Sequence, residues 1–157
     1  MSPSNDLSDY AAQSGRFEAA FTLEIQTLPG DVGRILDAVM AVHPLSYGRY
    51  ERNASVTAQG YETARPMAGS TTDTHVESFQ PGGTETYPMV ELKISVERDA
   101  TVLARVMDAI LSVHHYEEPV IFCREDWVHR AAYDPDRENP NRWWNRDGGL
   151  PDRLEDP

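Results

Sequence analysis

From Phe17 to Leu28 apolar and polar residues alternate: Phe21, Leu23 and Ile25 fall on one face, and Thr22, Glu24 and Gln26 on the other. This is the period-two signature of a half-buried strand. Pro29-Gly30-Asp31 then opens a stretch whose apolar positions Val32, Ile35, Leu36, Val39 and Met40 keep helical spacing, and Pro44 predicts its end at His43. Tyr47 to Met67 is strand-like but interrupted at Gly60, and Ala68 to Thr84, rich in Gly, Ser and Thr, reads as a loop. Alternation returns from Val90 to Glu97, with Val90, Leu92, Ile94 and Val96 inward. Asp99 is placed to cap a second helix carrying Leu103, Val106, Met107, Ile110 and Leu111. Val120-Ile121-Phe122, within Pro119 to Cys123, predicts a last core strand with Cys123 as a buried, inert thiol.

A shift of 71 positions lays the second half on the first. Phe21, Leu23 and Ile25 fall on Leu92, Ile94 and Val96, and the stretch Arg34 to His43 falls on Arg105 to His114 without a gap. Any two amphipathic helices share apolar spacing, but matched Arg, Asp and His at one register need another cause, and duplication supplies it. Two such halves predict an α+β domain of the ferredoxin-like βαββαβ type, with an extra hairpin and an extended C-terminal tail. Both helices then cover one face of an antiparallel sheet. The other face, with Thr22, Glu24, Glu91, Lys93 and Ser95, is left to solvent or to a neighbouring subunit. The expected organisation is a flexible arm over 1–16, the duplicated domain over 17–129, and a tail over 130–157 that docks on the domain or a neighbour. That tail is poor in aliphatic residues, yet Tyr133, Trp143, Trp144 and Leu150, with Trp127 just before it, are costly to leave in water.

Composition narrows the partners. The 157 residues carry a net charge of −12, which argues against nucleic acid and anionic membrane as ligands. Thirteen of the fourteen basic residues are arginine, Lys93 being the exception, so a small anion remains a reasonable ligand. The single cysteine precludes an intrachain disulfide and fits a reducing compartment. Residues 1–15 do not read as a signal peptide, and no apolar run approaches the roughly 20 residues of a membrane span. The expectation is a cytoplasmic protein.

The densest chemistry is His114-His115-Tyr116-Glu117-Glu118-Pro119, between the second helix and the last strand. Imidazole and carboxylate suit a divalent metal, giving His114, His115, Glu117 and Glu118 as candidate ligands for Zn, Cu or Fe. The same cluster offers His114, Tyr116 and Glu117 as acid–base groups. Against both stands a structural role: His114 continues the apolar stripe of its helix, and His43 occupies the same place in the first half.

This segment resembles the H-P-Y-E-E-P hallmark of the insert domain of Nif-three-like proteins. Tyr47-Gly48-Arg49-Tyr50 is similar to that family's G-x-Y strand, Arg65-Pro66-Met67-Ala68-Gly69 to its R-P-x-x-G turn, and Glu91 to the acid opening its third main strand. The similarity runs from about Phe17 to Cys123. It implies a CutA-like, PII-like ferredoxin fold, assembly as a trimer, and clefts between subunits that bind metals or small ligands. Arg65, Tyr50 and Glu91, with Trp143 and Trp144 from the tail, are the corresponding ligand-binding candidates. Two departures limit the transfer: the di-metal core surrounding that insert is missing, and His115 replaces the motif's proline. Three readings stay open. The first is an oligomeric accessory or regulatory domain binding a metal or small anion at an intersubunit cleft. The second is a small lyase, isomerase or cyclase using the His/Tyr/Glu cluster, and the third is a protein-interaction module.

Overall fold

A computed structural model of the chain describes residues 6–10, 12–132, 139–150 and 152. Its centre is a pair of thirteen-residue antiparallel strands, β1 (Gly15–Thr27) and β4 (Glu85–Glu97). Between them in sequence come α1 (Val32–Met40), the short β2 (Ser55–Val56), β3 (Gly60–Ala64) and a one-turn helix α2 (Thr71–His75). After β4 follow α3 (Ala100–Val113) and β5 (Ile121–Ala131). The sheet runs β2-β4-β1-β5, with β3 continuing along β4 as a hairpin, and α1 and α3 pack together on one face. This is the ferredoxin-like βαββαβ order with an added hairpin.

The duplication has a geometric counterpart. Leu23 pairs with Ile94 across the β1–β4 ladder, and these two residues are also equivalent under the 71-residue shift. A pseudo-twofold axis therefore passes between them. It exchanges Ile35 with Val106 and Val39 with Ile110, and all four are fully buried with Leu23, Ile25, Leu92 and Ile94. At roughly 1.5–3 kcal/mol for each fully buried aliphatic side chain, this cluster is the main source of stability. Asp99 caps α3 as expected, its Oδ1 accepting from the N–H groups of Thr101 (2.7 Å) and Val102 (3.0 Å). In that helix Val102 is buried, whereas Leu111, counted in the apolar stripe, is half exposed.

The opposite sheet face is polar, as its alternation requires. Glu24 accepts two hydrogen bonds from Arg124 (2.6 and 2.9 Å) and lies 3.2 Å from Lys93. Arg124 first, then Lys93, holds the Glu24 carboxyl down to about 2.

Three elements differ from the sequence expectation. β4 begins at Glu85, five residues early, because Pro88 sits on an edge-facing segment of the β3–β4 hairpin where a missing N–H is tolerated. The Ser/Thr-rich loop contains α2, whose N-cap Ser70 accepts from the Asp73 N–H at 3.2 Å. The last strand is not a core strand: it lies at the sheet margin, runs to Ala131, and packs only Ile121 against the core. Cys123 is consequently exposed, as are Val120 and Phe122. Desolvation and then Glu125 push the Cys123 thiol pKa up, which disfavours the thiolate.

β1 also starts earlier than the arm boundary. Gly15 adopts φ +144°, and a Cβ there would stand 2.1 Å from the Arg130 carbonyl oxygen. Residues 6–10 approach the same end of the sheet, where the Tyr10 ring packs edge-on against Phe17 at 5.0 Å. Replacing Gly15 by alanine should push β1 from β5 at this rung and cost about 1–3 kcal/mol. Urea unfolding of Gly15→Ala checks this, and an unchanged midpoint would show that the close approach is not a constraint.

Candidate functional site

His114 is the C-cap of α3, and both of its ring nitrogens are engaged. Nδ1 accepts the Tyr116 backbone N–H (3.1 Å), which fixes the neutral Nε2–H tautomer, and Nε2 donates to the Gln26 carbonyl (3.0 Å). His43 repeats this arrangement. Its Nδ1 accepts the Leu45 N–H (3.0 Å), and its Nε2 meets Glu97, the repeat equivalent of Gln26, at 2.7 Å. Each histidine thus locks the chain leaving a helix to the end of a central strand. Gln26 pairs with Glu91, six positions before Glu97 on β4, so the two histidines stand toward opposite ends of the ladder.

The rest of the motif turns away from His114. The Glu117 carboxylate accepts the Thr71 N–H at 3.0 Å, and the Thr71 hydroxyl first, then this N–H, lowers its pKa. His115 is mostly exposed, with Asp31 at 3.9 Å. Glu118 is exposed. Among the described residues no three His, Cys, Asp or Glu side chains gather into a metal-binding group. The set His114, His115, Glu117 and Glu118 therefore does not fit a divalent metal within one chain. Nor does the acid–base set His114, Tyr116 and Glu117 converge. The Tyr116 ring packs on His114 (5.2 Å), and its hydroxyl is shut off from solvent with no partner in ordinary hydrogen-bond geometry. Burial first, then the nearby Glu62, drives the Tyr116 pKa up, so the phenol stays protonated.

A second group of residues does converge. The turn at Tyr47–Tyr50 is closed by reciprocal backbone hydrogen bonds (2.7 and 3.1 Å) and is permitted by Gly48 at φ +62°. It faces the end of β5 across a cavity of about 490 Å³ that also admits Arg142 and Trp144 of the tail. Arg130 is braced there: its Nε donates to Glu18 at 3.0 Å, and its guanidinium lies 4.3 Å from the Tyr47 ring centroid. Tyr47 in turn donates its hydroxyl to the His129 carbonyl. On the other wall the Arg142 guanidinium lies 5.9 Å from the Trp144 ring, and Trp143 packs edge-on against Trp144 at 5.6 Å. Arg49 and Tyr50 also line it, so that among the described residues the lining contains three guanidiniums and no carboxylate. A larger depression of about 780 Å³ lies near Trp127, but Asp6, Glu125 and Asp126 line it and its Arg98 is bound to Glu125 at 3.1 Å. It is a poor place for an anion.

Of the ligand-binding candidates, Tyr50 and Trp144 share the first cavity, and Trp143 supports Trp144 from behind. Arg65 is exposed just after β3, and Glu91 sits on the open sheet face, its backbone N–H donating to Thr57 Oγ1 at 2.9 Å. Neither reaches the cavity. Sequence reasoning missed Tyr47, Arg130 and Arg142 as a set. Tyr47 lay inside a segment read as a strand, and nothing local marks its meeting with a residue 83 positions later. Tyr133 lies outside the described residues.

No family model matches the sequence, and no curated protein is similar to it. Solved structures do match. The chain superposes on a Bacillus cereus protein related to NIF3 with a TM-score of 0.55 and 13% identity, over 77% of this chain. It spans only 30% of the length of that protein. CutA1 from Oryza sativa matches with a TM-score of 0.46 and 10% identity over 73% of this chain and 84% of that one. The ATP complex of Bacillus subtilis GlnK matches at 0.45 and 14% identity, over 69% and 84%. At these identities the likeness is one of fold. The chain shares the fold of a part of the NIF3-related protein, as the motif resemblance implied.

The histidine geometry has a pH consequence. Burial lowers the His114 pKa, and the Gln26 carbonyl and Asp31 only partly oppose it. The unfolded chain therefore binds this proton more readily than the folded one. The contribution of His114 to stability should be complete above about pH 6.5 and decline as pH falls below it. An NMR titration of the His114 ring is expected to give a midpoint below about 6.5. His114→Gln should flatten the stability change between about pH 7.5 and pH 5.5. A midpoint at or above the free value would contradict the assigned tautomer.

Proposed function

We propose that this chain is a small oligomeric accessory or regulatory domain that binds a compact anion in the arginine–aromatic cavity. One observation carries the reading: in a chain of net charge −12, the described residues that line a single cavity supply three guanidiniums and no carboxylate. Arginine suits this task because its planar fork matches carboxylate and phosphate in two-point contact. A cavity of about 490 Å³ is within the range of small-molecule sites. The neighbours of similar fold include a GlnK bound to ATP and CutA proteins of divalent cation tolerance. The lining here favours the anion over the cation.

Assembly is the second part of the reading. Among the described residues the outer edge of β5 has no strand partner over its eleven residues, and Val120 and Phe122 are exposed beside it. An edge of this length invites a strand or side chain from another subunit. Arg130 and Ala131 of the cavity belong to the same strand, so a copy docked on that edge would add a wall and make the site an intersubunit cleft. A trimer is the state the family resemblance implies, and the cytoplasm is the compartment the cysteine usage and N-terminal sequence suggest. An acid–base enzyme is the alternative, and what favours it is a pair of buried oxygens, Tyr116 Oη and Asp31 Oδ2, that lack a hydrogen bond of ordinary geometry.

Light scattering after size exclusion is expected to give a trimer, and Phe122→Glu should shift it toward monomer. Isothermal titration with benzoate and with inorganic phosphate tests the cavity. Removing one guanidinium by Arg142→Ala should weaken anion binding about tenfold, in line with the 1.5–3 kcal/mol of a charge-assisted hydrogen bond. Unchanged affinity in that variant would remove the cavity as the site.

A further inference from the structure

The two walls of the cavity have the same construction. On the domain side the Arg130 guanidinium lies over Tyr47 at 4.3 Å, its plane set by the bond from Nε to Glu18. On the tail side the Arg142 guanidinium lies near Trp144 at 5.9 Å, with Trp143 edge-on behind. Each wall therefore offers a cation and a π face together. Binding charge alone requires only the guanidiniums. An inorganic oxyanion would leave most of the 490 Å³ to water and make no use of the aromatic rings. Trp144 and Tyr50 remain 39% and 66% exposed, an arrangement that leaves ring surface to be covered by a ligand.

Flat conjugated rings gain on both kinds of surface. They stack on tyrosine and tryptophan, and they stack equally on the guanidinium plane. A carboxylate or phosphate attached to such a ring then meets the edge of a guanidinium, where its N–H donors lie. A saturated anion of the same volume keeps the charge contact and loses the stacking.

On the strength of the anion reading above, we infer that the cavity selects a planar aromatic ring bearing a carboxylate or phosphate, held between the Tyr47–Arg130 and Arg142–Trp144 walls. The tail contributes half of the site, so recognition depends on residues 139–150 being seated. The source of selectivity is the pair of ring faces, and the source of affinity is the guanidinium charge.

Titration of the full chain with 2-naphthoate, its saturated decahydro analogue and inorganic phosphate separates these contributions, read by calorimetry and by quenching of tryptophan fluorescence. The expected result is that 2-naphthoate binds about tenfold more tightly than the decahydro analogue, and phosphate more weakly than either. Trp144→Leu, a change on an exposed tail that the core does not need, should erase the preference for the flat ring while keeping a weak response to both carboxylates. Trp143→Leu should do so only in part. Equal binding of the flat and saturated acids would overturn the planar class and leave the anion site intact. No binding of any of the three probes would overturn the anion reading itself.

Discussion

The pairing of β1 with β4 is the constraint from which everything else follows. With Leu23 opposite Ile94 on the pseudo-twofold axis, the rest of the core is fixed by symmetry. A one-residue slip would turn Leu23, Ile25, Leu92 and Ile94 to the polar face, which the Glu24–Arg124–Lys93 group already occupies. Each half must also bring its helix back over the same face. The histidines His43 and His114 do this by clamping the helix exits to residues Glu97 and Gln26, one pair for each half. The conserved polar positions of the duplication are thus connections in the fold and owe nothing to a shared metal.

This explains what was legible in the sequence. Strands and helices of the two halves could be read because burial imposes a periodicity on every residue. The repeat could be read because Arg, Asp and His match at one register, and for His43 and His114 the reason is the shared clamp that apolar spacing does not supply. The margins were harder. β5 has one neighbour and little helix cover, so its residues after Ile121 carry no alternation to mark where it ends, and Cys123 looked buried only because Val120 to Phe122 are apolar. α2 is stabilised by the local cap from Ser70 and by Glu117 from 46 positions away, neither of which a search for apolar faces detects.

The candidate site divides in the same way. The His-Tyr-Glu segment was conspicuous because its chemistry is contiguous in sequence, yet folding sends the three side chains to different partners: a strand carbonyl, a buried pocket by Glu62, and the N-terminus of α2. The arginine–aromatic cavity was half legible. Tyr50 and Trp144 stood out as aromatic residues in polar surroundings, whereas Arg130 was one of thirteen arginines with no local feature to distinguish it. Its role comes from the β1–β5 register, which sets it one rung from the chain reversal at Gly15 and within reach of Glu18.

That register also resolves the apparent conflict between an acidic chain and an anionic ligand. Charges are screened over about 8–10 Å at physiological ionic strength, so the net charge governs approach while the lining governs what is held. Glu18, which touches Arg130 of the cavity, is spent on orienting that guanidinium and on Arg16 at 2.6 Å. A carboxylate placed behind a guanidinium fixes the direction of its remaining donors and leaves the front face cationic. The surrounding acids then discourage polyanions such as nucleic acid, whose many charges extend past the cavity, more than they discourage a ligand small enough to lie inside it. On this account the composition and the cavity express one selectivity: against large anions and for compact ones.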